Sequence, residues 1–325
     1  MEMVRIMPIS ETNLLTSPHR IFYIELIIYG VFFPISVICL KETRGNVILR
    51  RRAKKIRATT GQKAYTYDDL HGPKLSTVLY VAIKRPLYMF CTEFVVFAFT
   101  MWSAFSTGLL YLFTQSSGQV YTALYGWPDY STGYVQGSIV IGMIVGFFVW
   151  WVVQKPLYFA SAPRNKEDPG LPIPEARLYT AIFGAMIGMG GGMFVYAWTS
   201  YPSIHWIGPS LGLGMVGFGI NIVVIAIAEY VTDCYSKFAS SAVAVVACGE
   251  NVFAAFLPLA AASMYTNLGF QWASSLLAFL ALLLGCAPIF IFFKGKTIRS
   301  KSPFIREAKY EMKREEEVEH ELQSI

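Results

Sequence analysis

The chain has 325 residues, 54% of them hydrophobic and only 15% charged, with a net charge of +6. Soluble domains run near about 25% charged, so this composition argues against one and for a membrane protein. The charges are clustered, and long stretches carry none.

Met1 to Arg20 shows no legible pattern and no signal-peptide core with a small-residue cleavage site. About 20 apolar residues in a helix cross a hydrocarbon core of about 30 Å. Seven segments reach that length: Ile21 to Leu40, Leu87 to Leu112, Gly133 to Val153, Leu178 to Trp198, Gly208 to Val231, Ala239 to Ala260 and Trp272 to Phe293. Helix is the required state, because lipid offers no partner to an unpaired backbone and the runs are too long and uniform for barrel strands.

Between the first two segments lies Lys41 to Pro86, with twelve Lys and Arg against Glu42, Asp68 and Asp69. Flanked on both sides by membrane spans, it reads as a loop on the basic side and not as a nucleic-acid arm, with Arg50 to Arg57 a candidate helix on anionic lipid. The loop 154 to 177, Lys237 and the tail from Lys294 are also basic, whereas loops 113 to 132, 199 to 207 and 261 to 271 have no Lys or Arg. The alternation puts the basic sides in the cytoplasm and the amino terminus outside. Trp127, Trp198, Tyr201, Trp206 and Trp272 fall at the outer ends, where an interfacial aromatic belt belongs.

Glycines recur at small-xxx-small spacing, at Gly142 and Gly146, Gly184 and Gly188, and Gly208 and Gly212, which lets helix backbones approach closely. Pro86 and Pro209 sit where a first helical turn tolerates proline; Pro34, Pro258 and Pro288 fall within spans and should kink them. The tail Arg306 to Gln323 mixes charges, with Lys313 and Glu317 four apart, as a solvated helix does. Five cysteines lie in or beside apolar runs without C-x-x-C spacing, and four histidines are scattered near loops, so neither disulfides nor a metal site is expected.

Ionisable groups at membrane depth are costly and therefore candidates for function. Glu250 is the deepest, eleven residues into its span, with Asn251 beside it. A carboxyl there could exchange protons or meet a cationic substrate, or it could simply lock two helices together. Glu93, Glu229 and Asp233 lie nearer the basic side and could equally meet interfacial water or an arginine. Aromatics within spans, among them Trp102, Phe105, Tyr111 and Tyr196, fit packing better than a ligand cavity. No P-loop, nucleophile elbow or HExxH occurs, so no enzyme chemistry and no cofactor is expected.

The run "IFYIELIIYGVFFPISVICLKETRGNVILRRRAKKIR" resembles the sixth span and central loop of fungal major facilitator superfamily transporters, in the twelve-span drug:proton antiporter family of multidrug and polyamine exporters. "RPLYMFCTEFVVFAFTMWSAFSTGLLYLF" is similar to the seventh span, and "PEARLYTAIFGAMIGMGGGMFVYAWTSYPSIHWIGP" to the ninth with its loops. "ASSAVAVVACGENVFAAFLPLAAASMYTNLGFQWASSLLAFLALLLG" is similar to the last two. The resemblance covers about Ile21 to Phe304.

By that resemblance Glu93 falls on the acid of a Thr-Glu-Pro pattern, with Phe94 in place of the proline and so a straighter helix expected. Glu175 and Arg177 fall on a Pro-Glu-Ala-Arg-Leu element implied to make contacts of the cytoplasmic gate. Glu250 and Asn251 fall on an eleventh-span Gly-Glu-Asn variant implied to serve proton coupling or substrate.

The expected fold is an all-α polytopic membrane protein of seven transmembrane helices, six of them the carboxyl-terminal half of a major facilitator fold. The expected organisation is an unassigned segment 1–20, a helix equivalent to span six at 21–40, a cytoplasmic basic linker at 41–86, a six-helix bundle at 87–293 and a cytoplasmic tail at 294–325. The implied function is proton-coupled export of drugs or polyamines by alternating access at the plasma membrane. Its partners are lipid, a small-molecule substrate, protons and a first transporter half whose five earlier spans and motifs this chain lacks. A non-transporting fragment is the alternative reading. A seven-span receptor matches the layout only, lacking a cysteine near Gly133 and the Asp-Arg-Tyr and Asn-Pro-x-x-Tyr marks.

Overall fold

A computed structural model describes residues 18–40, 45–61, 65–66, 75–165 and 170–310. Among the described residues every regular element is helical. The chain divides into two units, 1–78 and 79–325.

The first unit contains α1 (Pro18–Cys39) and α2 (Gly45–Thr60). α1 runs through Pro34 and exposes apolar side chains on all sides, Ile38 at 80%, which suits a helix whose solvent is hydrocarbon. In α2, Leu49, Ala53 and Ile56 share one side while Arg50, Arg51, Lys54 and Arg57 occupy the other. Arg57 lies over the Tyr65 ring, 4.6 Å from its centroid.

α3 (Leu75–Thr92) begins in the first unit and continues into the second. It carries Pro86 twelve residues in, well past the first turn expected for it. The bundle then follows as α4 (Phe94–Tyr125) and α5 (Asp129–Val149), the latter continued by a π-helical turn at Trp150–Gln154 and by α6 (Lys155–Phe159). A 3₁₀ turn, Pro174–Arg177, leads into α7 (Leu178–Phe183), a π-helical stretch Gly184–Gly191 and α8 (Gly192–Thr199). α9 (Ile207–Tyr235) and α10 (Ala239–Lys301) complete the membrane part. Residues 303–310 form a further short helix, α11.

Among the described residues, six helical stretches are long and apolar enough to cross a membrane. One of them, Ile207–Ala261, is 55 residues long. At 1.5 Å per residue it would run about 80 Å, so it must hold two spans. They meet at Ser236, whose φ of 36° and ψ of −96° reverse the chain. The crossings therefore number seven. α10 likewise contains two spans, and its one non-helical residue is Gly269, at φ 76° and ψ 162°, a conformation open to glycine. Both Pro258 and Pro288 lie inside helical backbone on either side of it.

The core is aromatic. Phe99 meets Tyr230 and Phe113 meets Tyr196, edge to face at 5.1 and 5.3 Å. Trp102, Phe105 and Tyr196 are buried in this packing, whereas Tyr111 is half exposed. The glycine stripes do what their spacing suggests. A Cβ on Gly142 of α5 would sit inside the Gly214 carbonyl of α9, and one on Gly212 would strike the Tyr196 backbone of α8. α9 is thereby wedged between two neighbours at backbone contact. At the opposite end from the basic loops, Trp127 packs on Trp206 and Trp198 on Trp272.

The described start of the tail is anchored to the bundle: Phe304 packs on Phe238 and Tyr88, and Ile305 and Ala308 are buried, while Arg306, Glu307 and Tyr310 are exposed as a solvated helix requires. Lys313 and Glu317 lie outside the described residues.

Candidate functional site

Four polar groupings occupy the described residues of the second unit at different depths. The deepest is on α10, where Glu250 stands eleven residues after Ala239, about 16 Å into the helix. Ser103 of α4 donates a hydrogen bond to its Oε1. Gly249 makes that contact possible, since a Cβ there would press on Thr100 of α4 and hold the helices apart. Glu250 is only partly buried. Asn251 is exposed and donates back to Ala247 O of its own helix at 2.8 Å, so it does not pair with Glu250. The pair joins residues 147 apart in the chain.

At the basic end, Arg177 collects two of the acids. Its Nη1 donates to Glu229 Oε2 at 2.7 Å and its Nε to Asp233 Oδ2 at 3.0 Å. Glu229 and Asp233 are four apart on α9, hence on one face one turn apart, which a guanidinium can span. Trp150 Nε1 donates to the same Glu229 oxygen at 3.1 Å, and Tyr158 OH to the same Asp233 oxygen at 2.8 Å. The Tyr158 ring also lies under the guanidinium, 3.5 Å from Cζ to centroid. Every charge in this cluster has a partner, as buried ions require.

Glu175, two residues before Arg177, goes elsewhere. It is buried and accepts from Arg299 Nη1 of α10. A Cβ at Gly295 would collide with its carboxylate, so that glycine leaves the acid room to reach Arg299. The turn that holds both Glu175 and Arg177 is itself anchored by Gln154, wholly buried in the π-helical turn after α5. Its Nε2 donates to Ala176 O at 2.8 Å, while its Oε1 accepts from Thr180 Oγ1 at 2.6 Å.

Glu93 forms the fourth. Its backbone, at φ −102° and ψ 106°, separates α3 from α4, so the helix breaks at this position although no proline follows. The straighter helix expected from Phe94 is not found. The chain nevertheless keeps helical hydrogen bonds around the break, Glu93 N to Met89 O and Phe97 N to Glu93 O. The carboxyl is 4% exposed; Tyr235 OH donates to Oε2 at 3.1 Å, and Oε1 has no hydrogen-bond partner.

Thus the sequence-selected residues separate into a mid-span acid, an isolated buried acid, Glu175 paired with Arg299, and a charged cluster that joins Arg177, Glu229 and Asp233. No group of three or more His, Cys, Asp or Glu residues suited to hold a metal gathers among the described residues.

A transporter of Schizosaccharomyces pombe, mfc1, is 30% identical over 87% of this chain, and the match spans 59% of that protein. The major facilitator-type transporter sor6 of Hypocrea jecorina is 34% identical over 89% of this chain and 53% of its own length. The chain belongs to the major facilitator superfamily.

The efflux pump FUB11 of Gibberella moniliformis, 34% identical over 86% of this chain and 46% of its own length, extends the set. This major facilitator chain therefore spans about half the length of these relatives. No family model matches it, and no solved structure does.

In this superfamily member, sequence reasoning overlooked Ser103, Gln154, Tyr158, Tyr235 and Arg299. The first four are neutral and so escape a search for ionisable groups at membrane depth, and Arg299 was hidden among the other cations of the tail.

Proposed function

We propose that this chain forms the carboxyl-terminal half of a proton-coupled exporter that works by alternating access. Glu250 is the proton-coupling or substrate-contacting acid, with Asn251 exposed beside it. Glu93 is a second buried acid in the same role, and the Glu175 and Arg177 clusters close the cytoplasmic side. The substrates are organic cations such as drugs or polyamines, and the location is the plasma membrane. A first half supplies the other wall of the pathway.

The observation that carries this reading is the carboxyl of Glu250, mid-span, held by one neutral hydroxyl and no cation. An acid so placed can take a proton without losing a salt bridge, and its hydrogen bond to Ser103 couples its charge to the contact between α4 and α10. The relatives' names, transporter and efflux pump, support export. The Arg177 cluster supports a gate: its charges, paired between the Pro174–Arg177 turn and α9, form when those segments meet and must part for them to separate.

The test is transport in proteoliposomes by this chain fused behind the first five spans of one of its relatives. An inward proton gradient should drive export of a fluorescent organic cation, and Glu250→Gln should abolish that drive while leaving insertion intact. Unchanged export in Glu250→Gln removes Glu250 from the mechanism. Absence of export in the unmutated fusion rejects the transporter reading for this chain.

A further inference from the structure

In the first unit, α1 ends at Cys39 and α2 begins at Gly45. A chain of that length extends at most about 20 Å, so α2 starts close to the end of an apolar span whatever path joins them. The headgroup layer adds about 5–8 Å to each side of the hydrocarbon core, which puts α2 within reach of it.

The helix has two unlike faces. Ala53 is buried, and its surface neighbours at i−3 and i+4, Arg50 and Arg57, each have a partner within the chain, Arg57 lying over the Tyr65 ring. That face is turned to the protein. About half a turn away, Ile48, Arg51, Arg52 and Lys55 recur at i, i+3, i+4 and i+7 and so share a face of their own, and all four are exposed. From Gly45 to Tyr67 the sequence contains no Asp or Glu, so the helix supplies no carboxylate to neutralise this face.

We propose that Ile48, Arg51, Arg52 and Lys55 form a docking face for the anionic lipid surface beside α1. Cations held near such a surface are attracted one by one, and the attractions add. The apolar stems of Arg51, Arg52 and Lys55 lie along the acyl boundary with Ile48, while their charged ends reach the headgroups. The short connection to α1 favours lipid over a soluble polyanion, because it holds the face at the membrane at high effective concentration. Docking fixes the stretch between α1 and the bundle against one leaflet, and it does not depend on the transport reading.

The test uses the full chain in nanodiscs, with hydrogen exchange of residues 45–60 followed by mass spectrometry. The discs contain phosphatidylcholine alone or an equal mixture with phosphatidylserine. Phosphatidylserine should slow exchange across α2 about tenfold or more. Salt at about 1 M, where the screening length falls to about 3 Å, should abolish that slowing. Arg51→Gln with Arg52→Gln and Lys55→Gln should also remove it, glutamine being about as good a helix former. Lys294→Gln with Lys296→Gln and Lys301→Gln, the same loss of charge on α10, should leave it in place.

Equal exchange of the unmutated chain in the two lipids overturns the proposal. So does slowing that survives the α2 substitutions, or that is lost equally with the α10 ones. Protection by a short single-stranded RNA in phosphatidylcholine discs, with none from phosphatidylserine, also overturns it and assigns the face to nucleic acid. Should the substituted α2 exchange as an unfolded segment in every disc, the salt series on the unmutated chain decides, and slowing that persists in high salt overturns the proposal.

Discussion

Arg177 lies flat against the ring of Tyr158, with 3.5 Å between its Cζ and the ring centroid, while its two donor edges reach acids one turn apart on α9. The guanidinium is thus satisfied on a face and two edges at once, a combination a lysine ammonium cannot reproduce.

Replacing Arg177 should therefore cost more than replacing either acid. Arg177→Ala strands both Glu229 and Asp233, whereas Glu229→Gln or Asp233→Asn strands neither cation nor partner acid. Removing one partner of a fully buried pair costs about 3–5 kcal/mol. These side chains are 13–25% exposed, so a smaller loss is expected. Thermal unfolding in detergent should rank Arg177→Ala least stable, Arg177→Lys intermediate and the single amides nearest to the unmutated chain. An Arg177→Lys variant as stable as the parent would show that the stack and the fork contribute nothing.

The backbone contact between α5 and α9 gives a second prediction. Gly142→Ala puts a methyl group into the Gly214 carbonyl, and overpacking of this kind costs about 1–3 kcal/mol or more. Gly137 on the same helix has nothing within 4 Å of its would-be Cβ. Gly137→Ala should be neutral or stabilising, gaining up to about 1 kcal/mol of helix propensity. Similar melting temperatures for the two variants would contradict the close approach.

Gln154 should matter without carrying charge. Gln154→Leu keeps the volume but leaves the Ala176 carbonyl and the Thr180 hydroxyl without their buried partner, about 1–3 kcal/mol for each group. The loss falls on the turn bearing Glu175 and Arg177, so trypsin should cleave after Arg177 faster in Gln154→Leu than in the parent. Cleavage at an unchanged rate would mean that the turn is held by its ion pairs alone.

The buried acid at the helix break predicts a coupling. Tyr235→Phe removes the one donor that reaches Glu93, and the remaining bare carboxyl should lower stability. Combined with Glu93→Gln, the second substitution should recover part of the loss, with an interaction energy of about 0.5–2 kcal/mol. Strict additivity in this double-mutant cycle would separate the two residues.

Ser103→Ala tests the mid-span contact by itself. Interhelical hydrogen bonds in membranes average about 0.6 kcal/mol and reach about 1.7. A small change in stability is expected. In the fused transporter the pH dependence of export should shift as it does not with Ser106→Ala, whose hydroxyl bonds its own helix at Trp102 O. Identical pH profiles would leave Ser103 a packing residue.

The membrane crossings were legible because each is a local property. An apolar run of about 20 residues must be helical in lipid wherever it lies in the chain, and glycine spacing marks which faces can touch. Even the merging of α9 and the first part of α10 into one 55-residue apolar stretch did not hide two spans, since length alone forbids a single one.

The pairing of the acids was not legible. Glu175 and Arg177 are neighbours in the chain, yet one binds Arg299, 124 residues away, and the other Glu229 and Asp233, 52 and 56 residues away. Likewise, the extended backbone of Glu93 arises without proline, and Phe304 anchors the start of α11 to the bundle. The sequence by itself determined where hydrocarbon surrounds this chain, because burial in lipid is decided residue by residue along a helix. Which carboxyl meets which cation, and which meets only the hydroxyl of Ser103, was decided by tertiary packing. Ion pairs and hydrogen bonds depend on distances of a few ångströms between helices, and no local pattern encodes those distances.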